Sequence, residues 1–166
     1  EAFEMAAAQD GDARVLVLAK QGWHAGVVGI VASRLVRRFH KPAVVIALDG
    51  ESGSGSGRSI AGYHLAEAFS QVSGLLTTHG GHAMAAGLKI RADQVEAFTR
   101  ALQERAIELI SLEMLKPTLE VDAEIAMDAQ GEEMQPGLPD TIVYDVWLDD
   151  RNLMRKAAFD LGGASA

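Results

Sequence analysis

Two short aliphatic runs, Arg14–Ala19 (RVLVLA) and Ala43–Leu48 (AVVIAL), flank one amphipathic stretch, and this triplet constrains the fold more than any other feature of the chain. Both runs are continuous rather than alternating, the pattern of strands buried on both faces. Between them Val28, Val31, Ala32, Leu35 and Phe39 recur at spacings of three and four, which predicts a helix from Ala25 to about His40. Pro42 then closes it, because proline disfavours helical backbone at the residue before it. A strand, helix and strand of these lengths form a βαβ unit, which normally makes a right-handed crossover into a parallel pair.

The remaining chain supplies weaker signals. Residues 1–13 read as the end of a linker from a domain not contained in the sequence. The stretch DGESGSGSGRS at 49–59 has the composition of a flexible linker. A helix is expected over 62–76, with Leu65, Ala68, Phe69, Val72 and Leu76 inward, then a break at 78–81 and a short strand around Leu88–Ile90. Asp93 with Glu96 reads as a capping box. Behind it Val95, Phe98, Leu102, Ala106 and Leu109 mark an amphipathic helix ending near Leu115, before Pro117. Alternation over 118–126 suggests a half-exposed strand, 128–140 a loop, 141–148 one more strand, and the last residues a frayed end. The expected fold is α/β: a mixed, largely parallel sheet of about five strands with flanking helices, followed by a short β-rich segment. The expected domain at 14–112 then gives way to a different segment, 113–166.

Composition narrows the chemistry. Without cysteine there is no disulfide framework, zinc–thiolate site or thiol nucleophile, and a cytoplasmic location is the natural expectation. No apolar run approaches the length of a membrane span. The net charge of −8 is unevenly spread: residues 1–110 hold eleven Lys/Arg and eleven Asp/Glu, residues 111–166 four and twelve. Arg34, Arg37, Arg38 and Lys41 make a local basic cluster, which reads either as a solvated helix face or as an anion patch.

Three glycine-bearing segments remain as chemical candidates. Gly22-Trp23-His24-Ala25-Gly26 joins a strand to a helix, where unpaired amides and the positive dipole end suit an anion; a plain tight turn fits as well. Gly55-Ser56-Gly57-Arg58-Ser59 sets one guanidinium fork among small residues, suited to a phosphate or carboxylate, or belongs to a solvated loop. His79-Gly80-Gly81-His82 has two histidines three apart, but no acidic residue lies between Glu67 and Asp93 to complete a metal cage. A phosphate-contacting His82 is the better functional reading, a satisfied buried histidine the alternative. His40 and His64 read as helix surface or packing. Together these features can hold a phosphate, and none obviously activates water.

The segments GWHAGVVGIVASRL at 22–35, GSGRSI at 55–60 and GGHAMAAGL at 80–88, in that order, resemble the DHH-associated domain of the RecJ family of single-strand exonucleases, within the DHH phosphoesterase superfamily. The resemblance implies a two-part active site. A separate DHH domain, absent here since no Asp-His-His string occurs, would carry divalent metal (Mn2+ or Mg2+) that activates water; none would bind to this chain. The associated domain would grip single-stranded DNA through Arg58 and Ser59, through Gly80, Gly81 and the catalytic His82, and through the motif containing Trp23 and His24. The implied activity is 5′→3′ digestion of single-stranded DNA in repair and recombination, with this polypeptide inactive by itself. The run LKPTLEVDAEI at 115–125 resembles the passage into an oligonucleotide-binding barrel. Two other readings stand beside this one: a nano-RNase or phosphoadenosine-phosphate phosphatase of the same superfamily, which would end after this domain, and a non-catalytic nucleic-acid-binding module like that of alanyl-tRNA synthetases, against which the Arg58 and Trp23-His24 segments argue.

Overall fold

The computed structural model describes residues 1–116 and the backbone of two further strands. By contacts the chain divides into two compact units, Glu1–Pro117 and Thr118–Ala166. In the first, the elements run α1 (Ala2–Gln9), β1 (Leu16–Gln21), α2 (Val28–Phe39), β2 (Ala43–Asp49), β3 (Ser52–Arg58), α3 (Leu65–Gln71), β4 (Thr78–Gly81), β5 (Ala85–Arg91) and α4 (Val95–Leu109). In the second, β6 (Val143–Leu148) and β7 (Met154–Asp160) pair antiparallel. The expected strand at 118–126 and the loop and tail expected around the hairpin lie outside the described residues.

The β1–α2–β2 unit forms as its periodicity demands, with β1 and β2 parallel from Leu16↔Ala43 to Gln21↔Leu48. α2 stops where expected: His40 takes a left-handed conformation (φ 53°) and its N–H returns to the Val36 carbonyl at 2.8 Å. The five-stranded sheet has the order β1-β2-β3-β5-β4. It is mixed, as expected, but not largely parallel, since β2–β3, β3–β5 and β4–β5 all pair antiparallel. Short turns make hairpins of β2–β3 and of β4–β5, while β3 reaches β4 through α3, and the β4–β5 hairpin then adds to β3 through β5.

The glycine-rich run is not a linker. It is β3, the central strand, because alternating glycine and serine obeys the two-residue period of a strand. Gly53, Gly55 and Gly57 face one side, where added Cβ atoms would stand 2.8 Å from Leu48, 2.9 Å from Ile46 and 2.7 Å from Leu65. That side holds the larger core, with Val44, Ile46, Leu88 and Ile90 of the sheet under Leu65 and Phe69 of α3 and Phe98 and Leu102 of α4. Phe69 and Phe98 meet edge to face at 5.8 Å. On the opposite side Leu16, Leu18, Val45 and Ala47 pack under Val28, Ala32 and Leu35 of α2 and Ala6 of α1. Residues 1–13, expected as linker, therefore contain a helix folded onto the sheet, with Ala6 fully buried.

Three local expectations are corrected. Asp93 does not cap α4: its carboxylate takes both Arg91 Nε (3.0 Å) and Nη2 (2.5 Å), while Glu96 pairs with Arg100. That pairing holds the Asp93 carboxyl below the usual carboxylate range. The segment 78–81 is not a break but the edge strand β4. Lys41 leaves the basic cluster, being buried and paired with the Asp10 carboxylate at 2.8 Å. At the other edge, Gln9 Nε2 donates to the Val17 carbonyl (3.1 Å) and Val15 N–H donates to Gln103 Oε1 (3.2 Å), which closes part of β1 to further pairing. No described helix is long and apolar enough to cross a membrane.

Two predictions follow from this packing. Gly57→Ala should cost about 2 kcal/mol in urea unfolding, because its Cβ has nowhere to go in a filled core. Tyr63 is 2% exposed, its hydroxyl has no hydrogen-bond partner among the described residues, and burial pushes its pKa up to about 12. The folded protein thus keeps a proton that the unfolded chain releases near pH 10. The Tyr63 contribution is fully present below about pH 10 and is lost as pH rises toward about 12. Tyr63→Phe should flatten that alkaline decline and add about 1 kcal/mol at pH 7 by removing the unpaired hydroxyl; urea melts at pH 7 and 11 check both.

Candidate phosphate-gripping site

β3 has two chemically different sides. Opposite its glycines stand Ser54, Ser56 and Arg58, continued across the sheet by Gly87 and Lys89 of β5 and Thr78 and Gly80 of β4, in the register Ser54↔Lys89, Ser56↔Gly87 and Gly80↔Gly87. Gly80, Gly87 and Lys89 are exposed and Ser54, Ser56 and Arg58 half-buried. The result is a shallow floor of small residues carrying two cations, bordered by α2.

Arg58 is held rather than loose. Its Nη1 donates to Ser56 Oγ and to the Gly57 carbonyl, both at 2.8 Å. Its Nη2 lies 3.0 Å from the point where a Cβ on Gly29 would stand, so α2 can approach the guanidinium because position 29 has no side chain. Of the five N–H donors of arginine, two are thereby used, and the three on Nη2 and Nε have no partner among the described residues. A fork fixed on one side and open on the other suits a bidentate oxyanion.

The first turn of α2 adds donors. Val28 and Gly29 N–H have no backbone acceptor among the described residues, while Ile30 and Val31 both return to the Val27 carbonyl. No acidic residue occurs between Asp12 and Asp49 to oppose an anion there. His24 folds back on this start: its Nδ1 accepts the Gly26 N–H at 3.0 Å. That bond requires an unprotonated Nδ1 and turns Nε2 away from it. A Cβ on Gly26 would sit 2.9 Å from the His24 Cε1, so a side chain there would push the imidazole out of this bond. Trp23 is half-buried and packs against the α1/α2 core.

The third segment is the β4–β5 turn. Gly81 has φ 145°, and a Cβ there would lie 2.4 Å from the Ala85 carbonyl oxygen, so no other residue fits. His82 N–H donates to that carbonyl at 2.8 Å, and its exposed imidazole has no partner among the described residues. His79, by contrast, meets Ser70 Oγ at 3.2 Å. His64 is no bystander either: its Nδ1 accepts the Glu67 N–H and caps α3.

Two of the three segments are joined at Arg58, and the Gly22–Gly26 bend is not. The β4–β5 turn is tied to that residue by the pairing Arg58↔Ala85 and by Ser59 N–H to the Met84 carbonyl at 3.0 Å. The Gly22–Gly26 bend leaves the other end of the sheet, where Gly22 N–H bonds the Leu48 carbonyl; Gly29, three residues beyond the bend, makes the approach. Ser59, expected as a phosphate contact, lies beneath Arg58 in the loop that follows β3. It is 4% exposed and its hydroxyl donates to the Tyr63 carbonyl at 2.6 Å, shaping the loop below the site. Gly29 and Ser56 were missed as individual site residues. A glycine inside a helix, about 1 kcal/mol worse than alanine there, was the available signal for the first; the two-residue period was the signal for the second.

Comparison with known proteins identifies the family to which these segments belong. The family model described as the DHHA1 domain matches residues 12–108. The single-stranded-DNA-specific exonuclease RecJ of Bacillus subtilis is 45% identical over 124 residues, covering 74% of this chain and 16% of the relative. That of Escherichia coli is 42% identical over 111 residues, covering 64% and 18%. A crystal structure of RecJ from Thermus thermophilus in complex with Mg2+ has the same fold, with a TM-score of 0.60 at 19% identity over 99% of this chain and 34% of that one. A crystal structure of exonuclease RecJ bound to manganese matches with a TM-score of 0.53 at 26% identity, over 68% and 32%. The chain spans about a sixth of the length of the B. subtilis relative.

Gly29→Ala separates stability from site geometry. The substitution favours the helix by about 1 kcal/mol but places a methyl group against the Arg58 fork. The expected outcome is an unchanged or higher Tm together with a smaller thermal shift on adding phosphate; calorimetry with and without phosphate checks it.

Proposed function

Because the chain belongs to the DHHA1 domain family, we propose that it is the phosphate-gripping part of a 5′→3′ exonuclease specific for single-stranded DNA, completed by a metal-bearing DHH domain elsewhere in the same protein. The carrying observation is the Arg58 fork, fixed by Ser56 and Gly57, pressed against Gly29 and open on its other side.

Among the described residues no group of three or more His, Asp or Glu is placed to hold a metal ion. The role proposed for the described residues is to bind and orient. In the proposed whole enzyme, the DHH domain's divalent metal supplies the activated water. On this side, Arg58 takes two oxygens of a phosphodiester, and the Val28 and Gly29 amides add uncharged donors at the helix start. His82 reaches the same phosphate from the β4–β5 turn as a further donor. Charge builds on the phosphoryl oxygens during displacement, and donors fixed beforehand stabilise it without reorganising. The small floor of Gly80, Gly87 and Ser56 lets a nucleotide lie close to the sheet.

The test joins this chain to a DHH domain and supplies manganese and a 5′-phosphorylated single strand. Digestion is expected from the joined protein and none from this chain alone. Arg58→Ala should lower kcat/KM by about 10²-fold, the usual loss for one preorganised charged contact. Undiminished activity would remove Arg58 from the site.

A further inference from the structure

α2 carries more exposed surface than its packing explains. Val27 (48%), just before its first turn, and Ile30 (58%), within it, are large exposed apolar residues, and Arg34 and Arg37 are exposed further along. At about 100° per residue these four fall within one sector of roughly 80°, opposite the buried Val28, Ala32 and Leu35. Neither Arg34 nor Arg37 has an ion-pair partner among the described residues, and no acidic residue lies between positions 12 and 49. Complementing the C-terminal end of the helix accounts for Arg37 in the last turn. It accounts neither for Arg34, a turn earlier, nor for two exposed aliphatic side chains at the opposite end. The stripe neighbours the site: Gly29, the residue against Arg58, directly precedes Ile30 and lies about 80° from the stripe's edge round the helix.

We infer that this stripe is a second contact surface for the same single strand. Once one phosphate is held at Arg58, the chain continues over the outer face of α2, with a base against Val27 and Ile30 and two further phosphates on Arg34 and Arg37. Ile30 and Arg37 are separated by about 10 Å along the helix, so the surface spans more than one nucleotide. Apolar contact to a base face and cationic contact to backbone are the two ingredients of sequence-independent single-strand binding. This inference rests on the proposed function, and the test keeps the two apart.

The full chain is titrated with a 5′-phosphorylated dinucleotide, which reaches Arg58 alone, and with a 5′-phosphorylated single-stranded 12-mer, at several salt concentrations. Each phosphate contact on a single strand adds about 0.7 to the slope of log affinity against log salt. Arg34→Gln with Arg37→Gln should lower the 12-mer slope by about 1.4 and its affinity about tenfold at low salt, leaving the dinucleotide unchanged. Arg34→Lys with Arg37→Lys should keep the 12-mer slope. If the glutamine variant, folded by its Tm, binds the 12-mer with the original slope, the second surface is refuted. A lysine variant as poor as the glutamine one refutes it too. In either case the proposed function stands, provided Arg58→Ala weakens both probes. If Arg58→Ala weakens neither, that function falls and the second surface with it.

Discussion

The glycine side of β3 is what the rest of the first unit leans on. A central strand flanked by β2 and β5 would ordinarily fill its inward positions with branched side chains. Here Gly53, Gly55 and Gly57 leave those positions vacant, and Ile46, Leu48, Leu88 and Leu65 occupy the space from neighbouring elements. α3 and α4 can then close on that face of the sheet. The opposite side of the same strand carries Ser56 and Arg58, so the packing that removes side chains from one face fixes the height and direction of the functional face. A flexible loop would leave the guanidinium free to rotate; the strand ladder does not.

A second close approach completes the arrangement. Gly29 has no side chain between α2 and the Arg58 fork, just as β3 has none between itself and α3. Both faces of the sheet thus use absent side chains to bring backbone near something that matters. Electrostatics follows from where the acids are not. The chain as a whole is acidic, yet the span from Arg14 to Lys41 holds six Lys/Arg and no Asp or Glu, with Lys20 and Lys41 paired to Glu1 and Asp10 from outside it. A local field of this kind acts over roughly a Debye length, about 8 Å at physiological salt, so the overall charge says little about the anion preference of the Arg58 face.

Several parts were legible in the sequence for stated physical reasons. The β1–α2–β2 unit followed from continuous aliphatic runs around a 3.6-residue repeat, and the amphipathic α4 from its own spacing. Arg58 and His82 stood out because cations and imidazoles set among glycines have little steric cover. The family resemblance rested on the same segments and was confirmed by the match over residues 12–108. Other parts were not legible. Composition labelled 49–59 as linker because glycine and serine dominate linkers; the alternation that marks a strand was present but lacked the branched residues that usually announce one. Asp93 with Glu96 satisfied a capping pattern, yet Arg91 two residues away offered a stronger bidentate partner. Nor did the sequence show that Ser59 is buried with its hydroxyl on the Tyr63 carbonyl.

By itself the sequence determined which segments have a period and which residues carry charge, because both are local properties written in spacing and side-chain chemistry. It marked 78–81 as the end of a helical stretch, though not that the Ala85 carbonyl lies where a Gly81 Cβ would be. Only tertiary structure decided strand direction after β2, the identity of the central strand, and the meeting of Gly29 with Arg58 twenty-nine residues later. Those depend on which faces find each other once the chain collapses, and a contact made through a missing side chain leaves no mark on the residue that makes it possible except that it is glycine.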